Sequence, residues 1–597
     1  MIAEELTTAI KGSEFIVKDT NAPDVFIPEE YTEEQNMIYG MCRDFLNQEI
    51  FPNLERIDAL EEGLMPSLLD KAGDLGLLGL SIPAKYGGME MGFVSSQLVA
   101  EATGAGNAFA VAISAHCGIG TLPILYYGNE EQKAKYLPKL ATGQWKACYC
   151  LTEPNSGSDA NSGSTKAVLS EDGKNYILNG QKMWITNAGF ADVFTVFAKI
   201  DDDDTLSAFI LDKSMEGIEL NPEEKKMGIK GSSTRQIFFN NVKVPVGNLL
   251  GDRKGGFKIA LNILNIGRVK LGASAIGASK VVIERAIQYA NEREQFGKPI
   301  AQYGAIKSKL AEQAIRTYAS ESAIYRVCQN IEDRINTLIE TGKEKSEATL
   351  EGIEQFASEC AIMKVHGSEV LDYVVDEGVQ IFGGMGYSAE APMERSYRDS
   401  RINRIYEGTN EINRMVVVDI ILKRATKGDI DFMSAAKNVA KDLMSIPDMN
   451  GHDSGTFTKE KHYVKNFKKS VLMVLGAAAK QLTTSLKDEQ EILMNVADMV
   501  IETYVSESIL LRVEKLSDLR GEDACITQIS MMRSYLYNAN DKIAKAAKDA
   551  LNAFAEGDEL RVMLMGVKRF TKHEPFNVKN ARRAIADRLI REGKYCF

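Results

Sequence analysis

The stretch Arg401-Ile402-Asn403-Arg404-Ile405-Tyr406-Glu407-Gly408-Thr409-Asn410-Glu411-Ile412-Asn413-Arg414 sets one carboxylate, Glu407, between a bulky aromatic residue and a glycine. Hydroxyl and amide groups follow directly. In water a glutamate titrates near about 4.3 and is a poor base. Screened from solvent behind an aromatic neighbour, its charged form loses hydration and its pKa rises. A carboxylate tuned in this way can remove a proton from a reluctant C–H bond near neutral pH. A solvated glutamate at a helix start fits the same residues, so the stretch gains meaning only from its company.

That company lies in two other segments. Tyr149-Cys150-Leu151-Thr152-Glu153-Pro154-Asn155-Ser156-Gly157-Ser158-Asp159 is followed by Asn179-Gly180-Gln181-Lys182-Met183-Trp184-Ile185-Thr186-Asn187. Thr152 offers a hydroxyl, and the small Ser156, Gly157 and Ser158 let backbone amides approach a ligand. Trp184 can cover a flat ring, and Thr186 can donate to a ring nitrogen. Trp184-Ile185-Thr186 reads equally as a core strand. Further on stands Gln380-Ile381-Phe382-Gly383-Gly384-Met385-Gly386-Tyr387, then Glu394-Arg395 and Arg398-Asp399.

With these motifs in this order, the chain resembles the acyl-CoA dehydrogenase flavoenzymes, most of all their very-long-chain members. The resemblance is dense from about residue 30 to 425 and thin beyond. It implies an FAD cofactor, an acyl-CoA substrate and α,β-dehydrogenation to a trans-2-enoyl-CoA in fatty acid β-oxidation. Glu407 matches the base, and the place where a minority of the family carries it is Gly267 here, which has no side chain. Tyr149, Leu151, Thr152, Gly157, Ser158, Trp184, Ile185 and Thr186 match flavin-lining positions. Arg293, Gln295, Phe296, Gln380, Gly383 and Gly384 match contacts to the pyrophosphate and adenine, given partly to a neighbouring subunit, so a homodimer is implied. Thr409, Glu411 and Gln490 match further flavin contacts. Ser158, Arg268, Tyr406 and Gly408 match substrate contacts, with Arg268 toward the CoA part. Alone, Arg268 reads as a surface arginine, and Gly383-Gly384 as a helix-terminating turn.

An electron-transferring flavoprotein is the acceptor the resemblance implies. Two alternatives stand beside it: an acyl-CoA oxidase that uses oxygen, and a catalytically silent flavin-binding scaffold. Ala108, Ala110, Ala112 and Ser114 lie where relatives close the acyl pocket. Their small size suits a deep tunnel, or else tight helix packing.

The elements that must position these residues follow from pattern. A length of 597 residues exceeds one core. Thr32 and Gln35 form a capping box, with Met37, Ile38, Met41 and Phe45 at helical spacing. Residues 30–145 are expected to be helical. Residues 146–250 are expected to be β: Val193–Ala198 and Leu206–Leu211 read as strands, and Asp172-Gly173, Asn179-Gly180 and Asn240-Asn241 as turns. The acidic run Asp201–Asp204 reads as a solvated loop. Long helices are expected over Lys258–Asn291, Tyr303–Asn330 and Glu347–Gly378, with 251–430 as a helical bundle carrying Glu407 and Leu264–Arg268 opening its first long helix. A linker is expected at 431–461, centred on Ser445–Gly455, and a C-terminal helical domain at 462–597. Residues 1–29 form an N-terminal extension. The fold class is therefore mainly α with a small central β domain. By resemblance it is a helical domain, a β-barrel-like domain, a four-helix domain and an extra C-terminal helical domain.

A net charge of −12 argues against nucleic acid as a partner. Eight scattered cysteines and five dispersed histidines show no zinc spacing, so no metal is expected. Between 568 and 594, nine basic residues (568, 569, 572, 579, 582, 583, 588, 591, 594) face three acids. Such a segment could meet an anionic membrane surface, but a basic face packed on the acidic body is preferred. The start shows no signal or transit pattern, and no apolar run is expected to reach membrane-spanning length, so a cytoplasmic location is expected.

Overall fold

The computed structural model describes residues 10–444 and 456–597. The helical N-terminal part comprises α1 (Glu33–Phe45), α2 (Leu54–Asp58), α3 (Leu64–Asp74), α4 (Phe93–Thr103), α5 (Ala108–Ser114), α6 (Leu122–Tyr127) and α7 (Glu130–Ala141). The capping box forms at α1: Gln35 N donates to Thr32 Oγ1 at 3.2 Å, and the Gln35 side chain accepts from Thr32 N at 3.0 Å.

The β domain contains β1 (Ala147–Cys150), β2 (Lys166–Leu169), β3 (Asn175–Thr186), β4 (Val193–Ile200), β5 (Ser207–Asp212), β6 (Ile218–Leu220), β7 (Thr234–Pro245) and β8 (Leu249–Leu250). They form one sheet in the order β6-β7-β3-β2-β4-β5-β8, with β1 running parallel to β4. Every residue of β4 except Lys199 is buried, so this strand reads as an apolar run rather than an alternating one. Asp172-Gly173 turns the β2–β3 hairpin as expected. Asn179-Gly180 and Asn240-Asn241 do not turn the chain. They face each other inside the β3–β7 pair, where the register shifts between Leu178 and Gly180. Asn179 and Asn241 exchange hydrogen bonds at 3.1 and 2.8 Å. Gly180 is required there because a Cβ would meet Thr165 Oγ1 at 2.5 Å. Asp201–Asp204 is a loop between β4 and β5, pinned by Arg253 to Asp203 at 2.7 Å.

The helices return with α8 (Gly256–Glu292), α9 (Gly304–Glu340), α10 (Lys345–Gln355), α11 (Ala357–Phe382), α12 (Gly384–Tyr387), α13 (Pro392–Ser400) and α14 (Asn410–Lys427). The helix expected over 347–378 is two helices, because Phe356 leaves helical geometry at φ −107°. α8 begins at Gly256, so Leu264–Arg268 lies inside it rather than at its opening. α8 and α11 cross closely: a Cβ on Gly367 would meet Gly272 Cα at 3.0 Å.

Beyond this core lie α15 (Phe432–Met444), α16 (Thr458–Leu482), α17 (Gln490–Arg520), α18 (Ile526–Phe554), α19 (Gly557–Phe570) and α20 (Val578–Glu592). α15 occupies the first part of the expected linker, and the expected break at Ser445–Gly455 falls outside the described residues. Two apolar helical stretches, Ala108–Tyr127 and Gly256–Glu292, are long enough to cross a membrane by length and composition, contrary to the reading from sequence. Most of each is spent inside the protein core. In the basic C-terminal segment, α20 docks through Ile585, Ala586 and Leu589, and Arg582 pairs with Glu312 of α9 at 2.6 Å.

The N-terminal extension is a strap. Residues 13–31 lie against α16, α17 and the core. Phe15 stacks edge-on to Tyr504 at 4.7 Å, and Lys468 donates to Lys18 O and Glu507. Arg512 of α17, 2 % exposed, joins Glu29 (2.9 Å) to Glu321 (2.7 Å). Removing one partner of a buried ionic cluster leaves uncompensated charge and costs about 3–5 kcal/mol. Arg512→Met is therefore expected to lower the melting temperature by several degrees and to open residues 13–31 to limited proteolysis. An unchanged melting curve and cleavage pattern would show that the strap does not depend on this cluster.

Candidate active site

Glu407 lies in a short loop between a 3-10 turn, Arg401–Arg404, and α14. Thr409 closes the loop by capping α14, its hydroxyl accepting from Ile412 N at 3.3 Å. Glu407 has φ 58° and Gly408 φ 78°. A left-handed conformation costs a non-glycine residue free energy and persists only where its surroundings impose it.

Here the imposition comes from buried donors beneath the loop. Asn413 Nδ2 reaches the carbonyl oxygens of Glu407, Gly408 and Thr409 at 3.2, 2.9 and 3.0 Å. Lys364 Nζ, on α11, donates to Gly408 O and to Asn410 Oδ1, both at 2.7 Å. Arg268 Nε lies 3.5 Å from Glu407 O, and its Nη1 donates to Asn265 Oδ1 at 2.9 Å. Asn413, Lys364 and Arg268 are all buried. With the backbone oxygens drawn down, the Glu407 side chain stands over a cavity.

That cavity brings together Thr186 from the end of β3, Gly267 of α8, Tyr406 and Glu407. Its long wall is one face of α8: residues 267, 270, 271, 274, 275, 278, 281, 282 and 285 recur at helical spacing. α5 and the π-helical turn after it supply Ala110, Ser114, Ala115 and Gly118 opposite. Of the four small residues singled out from sequence, Ala110 and Ser114 face the cavity, whereas Ala108 and Ala112 are buried and absent from its lining.

Glu407 Oε2 is buried with no hydrogen-bond partner. Burial pushes the carboxyl up to about 7, and the nearby Arg268 and Lys364 cations oppose that rise. Burial likewise pulls Lys364 down to about 7, against the attraction of Glu407. Tyr406 donates to Asn403 Oδ1 at 2.7 Å, which fixes the aromatic neighbour. Gly267 makes room for the carboxyl, since a Cβ there would lie 2.8 Å from Glu407 Oε2. A side chain at 267 and the present carboxylate position therefore exclude each other.

A second buried pair registers the two segments around Thr186. Lys182 of β3 donates to Leu151 O at 3.1 Å and to Glu153 Oε1 at 2.6 Å. Glu153 also accepts from Ser164 and Thr165, and Lys182 and these donors hold it down at about 2 despite its burial. Met183 N donates to Thr152 O at 2.9 Å. The register shift between Lys182 and Ile185 throws Trp184 outward at φ 62°, leaving it 52 % exposed. Tyr149 and Leu151 are buried behind this surface, Ile185 is core, and Gly157 and Ser158 lie on an exposed loop.

The remaining expected site residues lie elsewhere in the chain. Arg293, Gln295 and Phe296 sit on an exposed hairpin, Phe296 at 95 % exposure. Gln380, Gly383 and Gly384 are exposed at the end of α11, where Gly383 turns the chain at φ 61°. Glu411 is exposed in the first turn of α14, and Gln490 is exposed at the start of α17, outside the cavity. Arg268 is not the surface arginine its sequence alone allows, and Gly408 turns its carbonyl into the protein rather than toward the cavity. Sequence reasoning gave no role to Lys364, Lys182 or Asn413, although Lys182 and Asn413 lay within stretches already singled out.

Family models cover most of the chain: the acyl-CoA dehydrogenase N-terminal domain at 32–144, the middle domain at 148–242, and C-terminal domain models at 254–422 and 466–569. A probable acyl-CoA dehydrogenase of Bacillus subtilis (strain 168) is 44% identical over 595 residues, covering 100% of both chains. The rat mitochondrial very long-chain specific acyl-CoA dehydrogenase is 41% identical over 61% of this chain and 53% of its own. The crystal structure of an acyl-CoA dehydrogenase from Bacillus anthracis, complexed with FAD, superposes with a TM-score of 0.95 at 45% identity, over 99% of this chain and 100% of that one. A mainly helical fold with a small sheet domain, together with these matches, defines an oxidoreductase of the acyl-CoA dehydrogenase type. The chain belongs to the acyl-CoA dehydrogenase family.

Two outcomes follow from the geometry. Glu407 titrates higher folded than unfolded. Between about pH 4.3 and 7 the folded chain keeps a proton that the unfolded chain has lost, so stability falls as pH rises through that window. Glu407→Gln is expected to melt a few degrees above the parent at pH 8, with the gap closing toward pH 5. An equal gap at both pH values would contradict titration at this site. Gly267→Ala is expected to displace the carboxyl rather than unfold the chain: turnover drops at least ten-fold while the melting temperature stays within about two degrees. Full turnover in that variant would refute the close approach.

Proposed function

We propose that this enzyme removes one hydrogen from each of the α and β carbons of an acyl-CoA, leaving a trans-2-enoyl-CoA, as a step of fatty acid β-oxidation. Glu407 takes the α-proton on Oε2, the unpartnered oxygen over the cavity. That orphaned buried carboxylate is the observation that carries the reading. Burial makes it a base of useful strength near neutral pH, and the held backbone keeps it aimed.

The residues around the cavity mouth fit FAD. Trp184 offers an exposed indole face, Thr186 lines the cavity with Glu407, and Tyr149 and Leu151 are buried. Lys182 and Glu153 keep the 149–158 and 184–186 segments in register. Bound FAD supplies the acceptor for the β-hydrogen. The exposed Arg293, Gln295, Phe296, Gln380, Gly383 and Gly384 suit a second copy's flavin, which favours a homodimer. Phe296 (95 % exposed) and Tyr387 (90 %) are large side chains that such an interface would cover.

The cavity also bears on chain length. Its α8 wall runs from 267 to 285, about 27 Å at ~1.5 Å per residue. Tetrahedral carbons about 1.5 Å apart advance about 1.3 Å each along a zigzag, so a long acyl chain fits beside that wall. An electron-transferring flavoprotein is proposed as the redox partner on family grounds.

The test is anaerobic bleaching of the flavin absorbance by acyl-CoAs of four to twenty carbons. The parent is expected to bleach with long chains, and Glu407→Gln to retain FAD while losing turnover by at least a thousand-fold. Normal turnover in Glu407→Gln would remove the proposed base. Abundant peroxide during aerobic turnover, with no need for a flavoprotein acceptor, would assign an oxidase instead.

A further inference from the structure

The acyl cavity is not uniformly apolar. Lys270 lines it one helical turn beyond Gly267, and Ser114 lines it from the opposite element. Neither side chain has a hydrogen bond or ion pair with any described residue. Several other polar groups in the lining have partners, whereas Glu407 Oε2 has none, and Arg285, the other lining cation, makes a ring contact but no ion pair with a described residue. Asp399 accepts from Ile229 N and from Asn107 Nδ2, Ser274 donates to Ala100 O at 3.1 Å, and the Arg285 guanidinium lies 5.1 Å over the Phe51 ring.

An ammonium withdrawn from water without a counter-ion is costly unless something supplies opposite charge. Lys270 is half-buried, and that burial lowers its pKa, with only the half-buried Cys117 thiol acting against the shift. The cavity lining as a whole is mostly alanine, glycine, valine, leucine and isoleucine. A saturated hydrocarbon chain passing there would meet this ammonium and gain nothing from it.

We infer that Lys270, with Ser114 lining the same cavity from another element, is an anion-accepting station in the acyl cavity, and that the enzyme takes acyl-CoAs whose chain ends in a carboxylate. The inference rests on the cavity being the acyl site proposed above. It adds the substrate class: CoA monothioesters of dicarboxylic acids. Lys270 stands about 4.5 Å beyond Gly267 along the helix, and its side chain spans about 6 Å. At about 1.3 Å per carbon, its ammonium meets the terminal carboxylate of diacids of about six to ten carbons. The carboxylate then supplies the missing charge, and Ser114 can donate to its second oxygen.

The test uses the FAD-loaded enzyme and thioester pairs of equal length: hexanoyl- against adipoyl-CoA, octanoyl- against suberoyl-CoA, decanoyl- against sebacoyl-CoA. Half-saturation of anaerobic flavin bleaching is expected to be at least ten-fold lower for the diacid in at least one pair. Lys270→Met, close in length and without charge, is expected to reduce that ratio below two, while Lys270→Arg keeps most of it. The inference is overturned if the plain chain binds at least as well in all three pairs with the parent enzyme, a comparison that needs no variant. It is also overturned if Lys270→Met keeps the preference. If no acyl-CoA of either kind at any length bleaches the flavin, the acyl-site reading fails, which is a different result from bleaching without a diacid preference.

Discussion

The arrangement depends on three consecutive backbone carbonyls, those of residues 407, 408 and 409, being drawn into the protein by one buried amide, Asn413. Left to itself, a glutamate would not hold φ near +58°. Asn413, Lys364 and Arg268 together impose that conformation, and none of them is exposed. Because they bind backbone oxygens, the Glu407 side chain is left without a partner and free to act. A hydrogen bond to the carboxylate itself would have held it more simply, and would have weakened it as a base.

Each major element can be understood by what it adds to that loop. α8 brings Gly267 and Arg268 on adjacent positions: one vacates the space that the carboxyl fills, the other reaches the backbone of the same residue. α11 brings Lys364, and the close α8–α11 crossing at Gly272 and Gly367 sets its depth. The β domain adds Thr186, held through the Lys182–Glu153 pair. The C-terminal helices stand farther off, yet they are tied to α11 by a buried relay. His366 contacts Tyr535 at 3.0 Å, and Tyr535 donates to Glu502, which also accepts from Lys542. Burial lowers the His366 pKa to about 4, so the relay is neutral at that point across the physiological range.

Much of this was legible in the sequence. The order helical, strand-rich, helical, helical is written in periodicity and β-branched content, and Glu407 stands out by its neighbours. What was not legible has specific causes. Lys364 sits among Ala, Ile, Met and Val in the middle of α11, where a lysine reads as a surface residue. Its partner Gly408 is 44 residues away, and no local pattern encodes that contact. Asn179-Gly180 has strong turn chemistry but serves as a bulge, because Asn241 faces it across the sheet from 62 residues away. Trp184-Ile185-Thr186 reads as a plain core strand; only the register shift before Ile185 puts the indole outside and the threonine at the cavity.

The same buried cations that shape the loop also set the strength of the base. Desolvation alone would carry Glu407 higher still, and a carboxyl that holds its proton cannot take another. Arg268 and Lys364 bring it back to about 7. Had they paired with the carboxylate directly, they would have carried it too far down, toward the range in which Lys182 and the neighbouring donors hold Glu153. The contrast between Glu407 and Glu153 therefore lies in where the cations bond. At Glu153 a lysine grips the carboxylate and makes a structural clamp. At Glu407 the cations grip the carbonyls, and the carboxylate is left with only their field, which is the condition for a base that is both ionised and reactive.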